Sequence, residues 1–277
     1  MLSIRASEEL AHTHGRARRL KGYPQSVDLV PTTSAPSAAM IFVHGYSGES
    51  KITWSDFASL LPLRTTFASF DIFFYDYDGI QSELDSSVLI FQRFLIAVAE
   101  DQKLVSGSID FTRPRGAYGR IVVVGHSLGG VLARWAVGNC AVKLKKPWAQ
   151  STSLVLYAPA HCGARVVELA MAAYEGLAPL KAIAKGAEFK SPLIEQLRKG
   201  SQELEKLRAL TKTAIQNNCR WVIPRLIVTA EKEHIVFNEE FLPDDPTRDP
   251  ISGTFHDTVC KPRLTFLDPL DRLDEVI

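Results

Sequence analysis

Apolar residues in this chain cluster in short unbroken runs separated by segments of helical spacing. Met40 to Val43 is one such run, ending in His44-Gly45-Tyr46-Ser47-Gly48. "FASFDIFFYDYDG" (67–79) predicts a second strand, Ile121 to Val124 a third, "SLVLYAPA" (153–160) a fourth, and "WVIPRLIVTAE" (221–231) contains a fifth. Between them, "DSSVLIFQRFLIAVAEDQKL" (85–104) predicts a helix capped by Asp85 or Ser86, and Val131 to Ala141 predicts another. Continuous apolar strands alternating with helices imply a mostly parallel sheet with helices on both faces. In such a sheet, sites lie beyond the carboxyl ends of the strands. His44-Gly45, Ser127 and Glu233 fall at those ends. Residues 163–216 break the rhythm with two long helical patterns and no strand between them, which predicts a helical cap inserted into a single domain spanning 1–277.

Bulk properties narrow the function classes. The 277 residues are 46% hydrophobic, enough for a sizeable core. With 32 basic and 31 acidic residues the net charge is +1, which gives no electrostatic reason to expect nucleic acid. The 4 cysteines (Cys140, Cys162, Cys219 and Cys260) are widely spaced and lack paired metal-ligand spacing, so free thiols in a reducing, cytoplasmic setting are expected. The N-terminal segment has no apolar core of a secretory signal, and Glu8 and Glu9 argue against a transit peptide. The longest apolar stretch, "SVLIFQRFLIAVA" (87–99), is too short for a membrane span and carries Gln92 and Arg93.

The candidate chemistry sits in "RIVVVGHSLGGVLARWA" (120–136). A serine between glycines at a strand-to-helix junction allows close packing and also exposes a hydroxyl above the sheet edge. Acyl transfer needs that serine, a histidine, a carboxylate orienting the histidine, and donors for the oxyanion. Directly after an apolar strand, the Gly-x-Ser-x-Gly pattern makes Ser127 the nucleophile candidate, and the chain order serine, acid, histidine follows. His256 in "GTFHDTVCKP" stands where that order wants the base. Of the other histidines, His12 and His14 lie in a polar segment, His161 belongs to the loop after the fourth strand, and His234 adjoins the acid candidate. His44 and His126 are expected to flank the substrate. The acid is Glu233, with Asp244 and Asp245 in "FLPDDP" as alternatives and Glu231 behind them; Asp257 is too close to His256 in sequence. Leu128 N–H and the His44-Gly45-Tyr46 turn, through Tyr46 N–H, are the expected oxyanion donors, with Gly45 shaping the turn.

"FVHGYSGESKITWSDFASLL", "IVVVGHSLGGVLARWA", "YAPAHCGA" and "FHDTVCKP" resemble the lipase-like branch of the α/β-hydrolases, which includes glycosylphosphatidylinositol inositol-deacylase-like and serine-active-site lipid-remodelling proteins. The resemblance runs from about residue 38 to 267 and implies the α/β-hydrolase fold, serine esterase or lipase activity, and acyl esters as substrates. It carries Ser127 over as nucleophile, His256 as base and the turn after His44-Gly45 as oxyanion loop. The family's Gly-x-x-Asp-x-x-Val segment stands here as Ala230-Glu231-Lys232-Glu233-His234-Ile235-Val236, with glutamate for aspartate. Its Pro-His pair stands as Pro159-Ala160-His161, one residue longer.

The expected function is therefore a serine hydrolase of carboxylic or lipid esters needing no metal or organic cofactor. A catalytically silent binding module on the same fold is the alternative. Leu169 and Met171, on the first cap helix, are expected to line a mostly apolar acyl cleft above Ser127. Contact with a membrane surface is expected to be peripheral, and the uncapped "DPLDRLDEVI" end suggests fusion to further modules.

Overall fold

The computed structural model describes residues 18–20, 27–32, 36–80, 82–100, 118–173 and 191–277. The segment with His12 and His14, the end of the expected 85–104 helix, and residues 174–190 of the expected cap lie outside them.

The strands are β1 Arg18–Leu20, β2 Val27–Val30, β3 Ala38–Val43, β4 Phe70–Tyr75, β5 Arg120–His126, β6 Thr152–Tyr157, β7 Leu226–Lys232 and β8 Arg248–Phe255. They form one 8-stranded sheet in the order β1-β2-β4-β3-β5-β6-β7-β8. β1 and β2 pair antiparallel, β2 joins β4 antiparallel, and every pairing from β4 to β8 is parallel. The helices are α1 Ser50–Trp54, α2 Phe57–Leu60, α3 Leu84–Ala99, α4 Leu128–Gly138, α5 Val166–Ala173, α6 Pro192–Gln196, α7 Gln202–Gln216 and α8 Asp268–Asp274.

Central strands read as unbroken apolar runs because both of their faces are covered: every residue of β3, β4 and β6 is buried. The one charge among them, Asp71, is buried but satisfied. Tyr118 donates to its Oδ2 at 2.6 Å and the Thr32 N–H to its Oδ1 at 2.9 Å.

All five predicted strands are present. β1, β2 and β8 were not anticipated. β8 is an edge strand with a half-exposed pattern, and Pro250 and Gly253 interrupt it, which sheet edges tolerate and central strands do not. It matters for the site because His256 follows its last residue directly.

The expected cap divides. α7 is not part of a roof: it packs against α4, with Leu204 and Leu207 buried and Leu210 against Gly138. α5 and α6 pack on each other, and among the described residues of the segment only α5 sends a side chain into the cavity beside Ser127, as described below. Among the described residues no helix is long and apolar enough to cross a membrane.

Candidate active site

Ser127 occupies the turn between β5 and α4 with φ 53° and ψ −119°, a conformation that L-residues rarely adopt. The turn is held from both sides. Ser127 N–H donates to Tyr157 O at 3.0 Å, and the Ser127 carbonyl accepts from Ala160 N–H at 3.2 Å and Gly130 N–H at 3.0 Å. Two flanking glycines answer to packing. A Cβ on Gly129 would overlap the Val43 and His44 carbonyl oxygens, and one on Gly125 would stand 2.7 Å from the Gly130 backbone. Close approach of α4 to β3 and β5 thus makes the sharp turn feasible, and the turn presents Ser127. Packing accounts for the glycines, and Ser127 itself sits buried at the turn.

β8 delivers His256 to the same place. Its Nδ1 lies 2.9 Å from Glu233 Oε2, with the two side chains 5% and 2% exposed. Glu233 stands just beyond β7, and its other oxygen, Oε1, accepts from Ile235 N–H at 2.8 Å and Val236 N–H at 3.1 Å. The longer glutamate closes a local turn on itself while reaching the imidazole. Burial pushes its carboxyl up, but the His256 hydrogen bond and charge, with the two backbone N–H groups, outweigh this and hold it below the ordinary carboxylate range. An anionic Glu233 accepts the hydrogen bond from His256 Nδ1, which turns Nε2 away from the acid. Both that Nε2 and Ser127 Oγ are buried, and neither has a hydrogen-bond partner among the described residues.

The other acid candidates are engaged elsewhere. Asp244 lies 3.4 Å from Arg220 on the surface, Asp245 is held by Arg134, and Glu231 accepts from Gly253 N–H at 2.7 Å. Asp257 lies 3.3 Å from Lys261.

His126 lies under the site. Its Nε2 donates to the His256 carbonyl at 2.9 Å, and the two rings are 4.9 Å apart. Burial, chiefly, and the nearby His256 push its pKa down to about 3, so the ring is neutral at ordinary pH.

The chain after β3 forms the facing wall. Gly48 N–H donates to Gly45 O at 3.2 Å, closing a turn around Tyr46 and Ser47. His44 is fully buried beneath it, with Nδ1 donating to Gly45 O at 2.8 Å, Nε2 3.0 Å from Asp76 Oδ1, and its ring stacked on Tyr77 at 4.4 Å. The expectation that His44 flanks the substrate is corrected: it is buried under the turn and shapes it. Leu128 is the first residue of α4, so its N–H emerges at a helix N-terminus beside Ser127.

A cavity of about 350 Å³ joins these parts. Gly45, Tyr46, Ser127, His126, His256 and Leu169 line it, and Met171 does not. Helical spacing explains that difference, since residues two apart point to nearly opposite faces: Leu169 turns inward from α5 and is 4% exposed, while Met171 is half-buried off the cavity. The lining is also less apolar than expected. Tyr46, Ile52 and Leu169 share it with Glu49, Thr53, Asp257 and Lys261. Ile52, Thr53 and Lys261 were not picked out in the sequence, although Ile52 and Thr53 closely follow the turn after β3. Among the described residues, no group of three or more His, Cys, Asp or Glu side chains is gathered as a metal would require. The four cysteines are unpaired and buried.

Comparison with known proteins agrees with this architecture. No curated protein matches the sequence significantly. Among solved structures, a Bacillus licheniformis lipase in its mature form superposes with a TM-score of 0.53 at 17% identity, covering 92% of this chain and 97% of that one. A soluble variant of monoglyceride lipase from Saccharomyces cerevisiae gives 0.55 at 13%, covering 95% and 94%. An esterase from Pyrococcus furiosus gives 0.53 at 12%, covering 97% and 91%. At these identities the likeness is one of fold. The profile of the alpha/beta hydrolase family matches residues 40–270. That span is most of the chain and contains every element of the site, and the protein therefore belongs to the alpha/beta hydrolase family.

Proposed function

We propose that the protein is a serine hydrolase that cleaves carboxylic esters through an acyl-Ser127 intermediate. One observation carries the reading: Glu233 orients His256 so that its free Nε2 lies buried in the same cavity as the partnerless Ser127 Oγ. In this mechanism Oγ gives its proton to Nε2 as it attacks the ester carbonyl. Glu233 stabilises the imidazolium across the 2.9 Å hydrogen bond. The oxyanion of the tetrahedral intermediate accepts from Leu128 N–H and Tyr46 N–H, a kind of donor worth roughly a hundred- to a thousandfold in rate. His256 then protonates the departing alkoxide, and water, deprotonated by the same Nε2, releases the acid from the acyl-serine.

Acyl or lipid esters are the substrates we favour, with α5 serving as a local roof over the acyl group. The neighbouring fold relatives named as lipases and an esterase support this, as does the sequence resemblance to the lipid-remodelling branch. Leu169 and Ile52 supply apolar wall for a chain, whereas Lys261, Asp257 and Glu49 suit a polar alcohol or headgroup.

A fluorophosphonate probe tests the reading directly. Labelling of the folded protein, lost in Ser127→Ala together with hydrolysis of p-nitrophenyl butyrate, is expected. An unlabelled folded protein, or a Ser127→Ala variant keeping more than about a hundredth of wild-type turnover, overturns it.

A further inference from the structure

We propose that Arg134 and Asp245 are positioning residues for this reaction: their buried ion pair holds the segment that carries acid and base against the helix that carries the nucleophile. The inference rests on the hydrolase reading above. Asp245 stood in the sequence as an alternative acid, and the structure puts it to a different use.

Arg134 lies on α4, about two helical turns beyond Ser127. Its guanidinium is 0% exposed and makes a two-pronged contact, Nη1 donating to Asp245 Oδ2 at 2.8 Å and Nη2 to Oδ1 at 2.6 Å. The Asp245 side chain is 4% exposed. The Phe241 ring lies 4.8 Å from the Arg134 guanidinium carbon and 4.7 Å from that of Arg208, which also donates to Phe241 O at 2.6 Å. The His161 ring lies 4.9 Å from the same ring, tilted by 37°, and donates from Nε2 to Gly130 O at 3.2 Å, in the first turn of α4.

Chain order gives the pair its significance. The loop from β7 to β8 begins with Glu233 and passes through Asp245, and β8 then leads straight to His256. Arg134 therefore grips the connection between acid and base from the one helix whose N-terminus presents Ser127. Stability alone does not account for such a pair. Two desolvated charges are costly to bury, and apolar residues of similar volume often serve a fold as well or better. A bidentate guanidinium–carboxylate contact adds fixed geometry, which apolar packing supplies less sharply. Catalysis is sensitive to that geometry, since a displacement of about 1 Å can cost on the order of a hundredfold in rate.

The test separates fold from positioning with the double variant Arg134→Met/Asp245→Leu, which replaces the pair with apolar groups. Its melting temperature is expected within about 5 °C of wild type. Its kcat for p-nitrophenyl butyrate is expected to fall at least about tenfold while KM changes less than about twofold. A folded double variant with wild-type kcat overturns the proposal. Should that variant fail to fold, Asp245→Asn keeps the shape and part of the hydrogen bonding. Lowered kcat in folded Asp245→Asn at unchanged KM supports positioning, and a lowered melting temperature with unchanged kcat overturns it. Absence of Ser127-dependent turnover in the wild type is a separate result that removes the hydrolase reading itself.

Discussion

His126 and His256 are joined through the backbone of one and the ring of the other: the His126 Nε2–H donates to the His256 carbonyl at 2.9 Å. The residue that precedes the proposed nucleophile thus supports the main chain that carries the proposed base. Replacing His126 with Phe keeps a ring in place but removes the donor, leaving a buried carbonyl unsatisfied. This should cost about 1–3 kcal/mol of stability and lower kcat by about tenfold through displacement of His256. Chemical denaturation and steady-state kinetics check both effects. Unchanged kcat would show that the base is fixed by Glu233 alone.

The acid assignment separates two carboxylates. Glu233→Gln should lower kcat by about a thousandfold or more, as loss of a histidine-orienting carboxylate does. Asp244→Asn, on an exposed and loosely paired side chain, should stay within about twofold of wild type. Glu233→Asp should also be impaired, because the shorter chain cannot reach His256 while keeping the Ile235 and Val236 N–H groups. If Asp244→Asn collapses activity and Glu233→Gln does not, the assignment fails.

Acid should destabilise the fold well above the carboxylate range. Burial drives the pKa of His126 down to about 3 and that of His161 well below its ordinary 6.5. Below pH 6.5 the unfolded chain therefore binds protons that these folded rings refuse. Their contribution is complete above the ordinary imidazole pKa and is lost as pH falls towards the depressed one, by up to about 1.4 kcal/mol per pH unit for each ring. Glu233, held below its ordinary pKa, adds a further loss only at lower pH. Thermal melts between pH 7 and 5 should show the decline, shallower in His161→Gln. A flat profile would contradict the buried, neutral state of both rings.

Leu169 and Met171 share α5, but only Leu169 lines the cavity. Leu169→Asp should reduce kcat/KM for p-nitrophenyl decanoate about tenfold more than for the acetate, whereas Met171→Asp should change this ratio less than about twofold. Equal losses on the two esters in Leu169→Asp would remove α5 from acyl binding.

What the sequence disclosed follows the physics of burial. β3, β5 and β6 were readable because strands covered on both faces are built around unbroken apolar runs, and Ser127 because its glycines answer to backbone contact at that turn. β8 was not readable: "RDPISGTF" sits at an edge, where Pro250 and Gly253 are tolerated and burial is partial. Glu233 was separable from Asp245 only through space, since its selection depends on a turn closed by Ile235 and Val236. Arg134 was hidden for a related reason. Within "GGVLARWA" an arginine reads as solvated surface until its carboxylate partner arrives from a distant loop.

The left-handed backbone at Ser127, φ 53°, has a consequence for the durability of the protein. A side-chain-bearing residue in that conformation costs about 1–3 kcal/mol, and alanine keeps most of this strain while glycine relieves it. Glycine also gains freedom in the unfolded chain, which subtracts about 0.4–1 kcal/mol. Ser127→Gly should therefore melt above Ser127→Ala, although both are inactive; the reverse order would mean that the turn is unstrained. Reactivity and longevity oppose each other at this one position. A side chain at 127 is thus held at a cost in lifetime that glycine would remove.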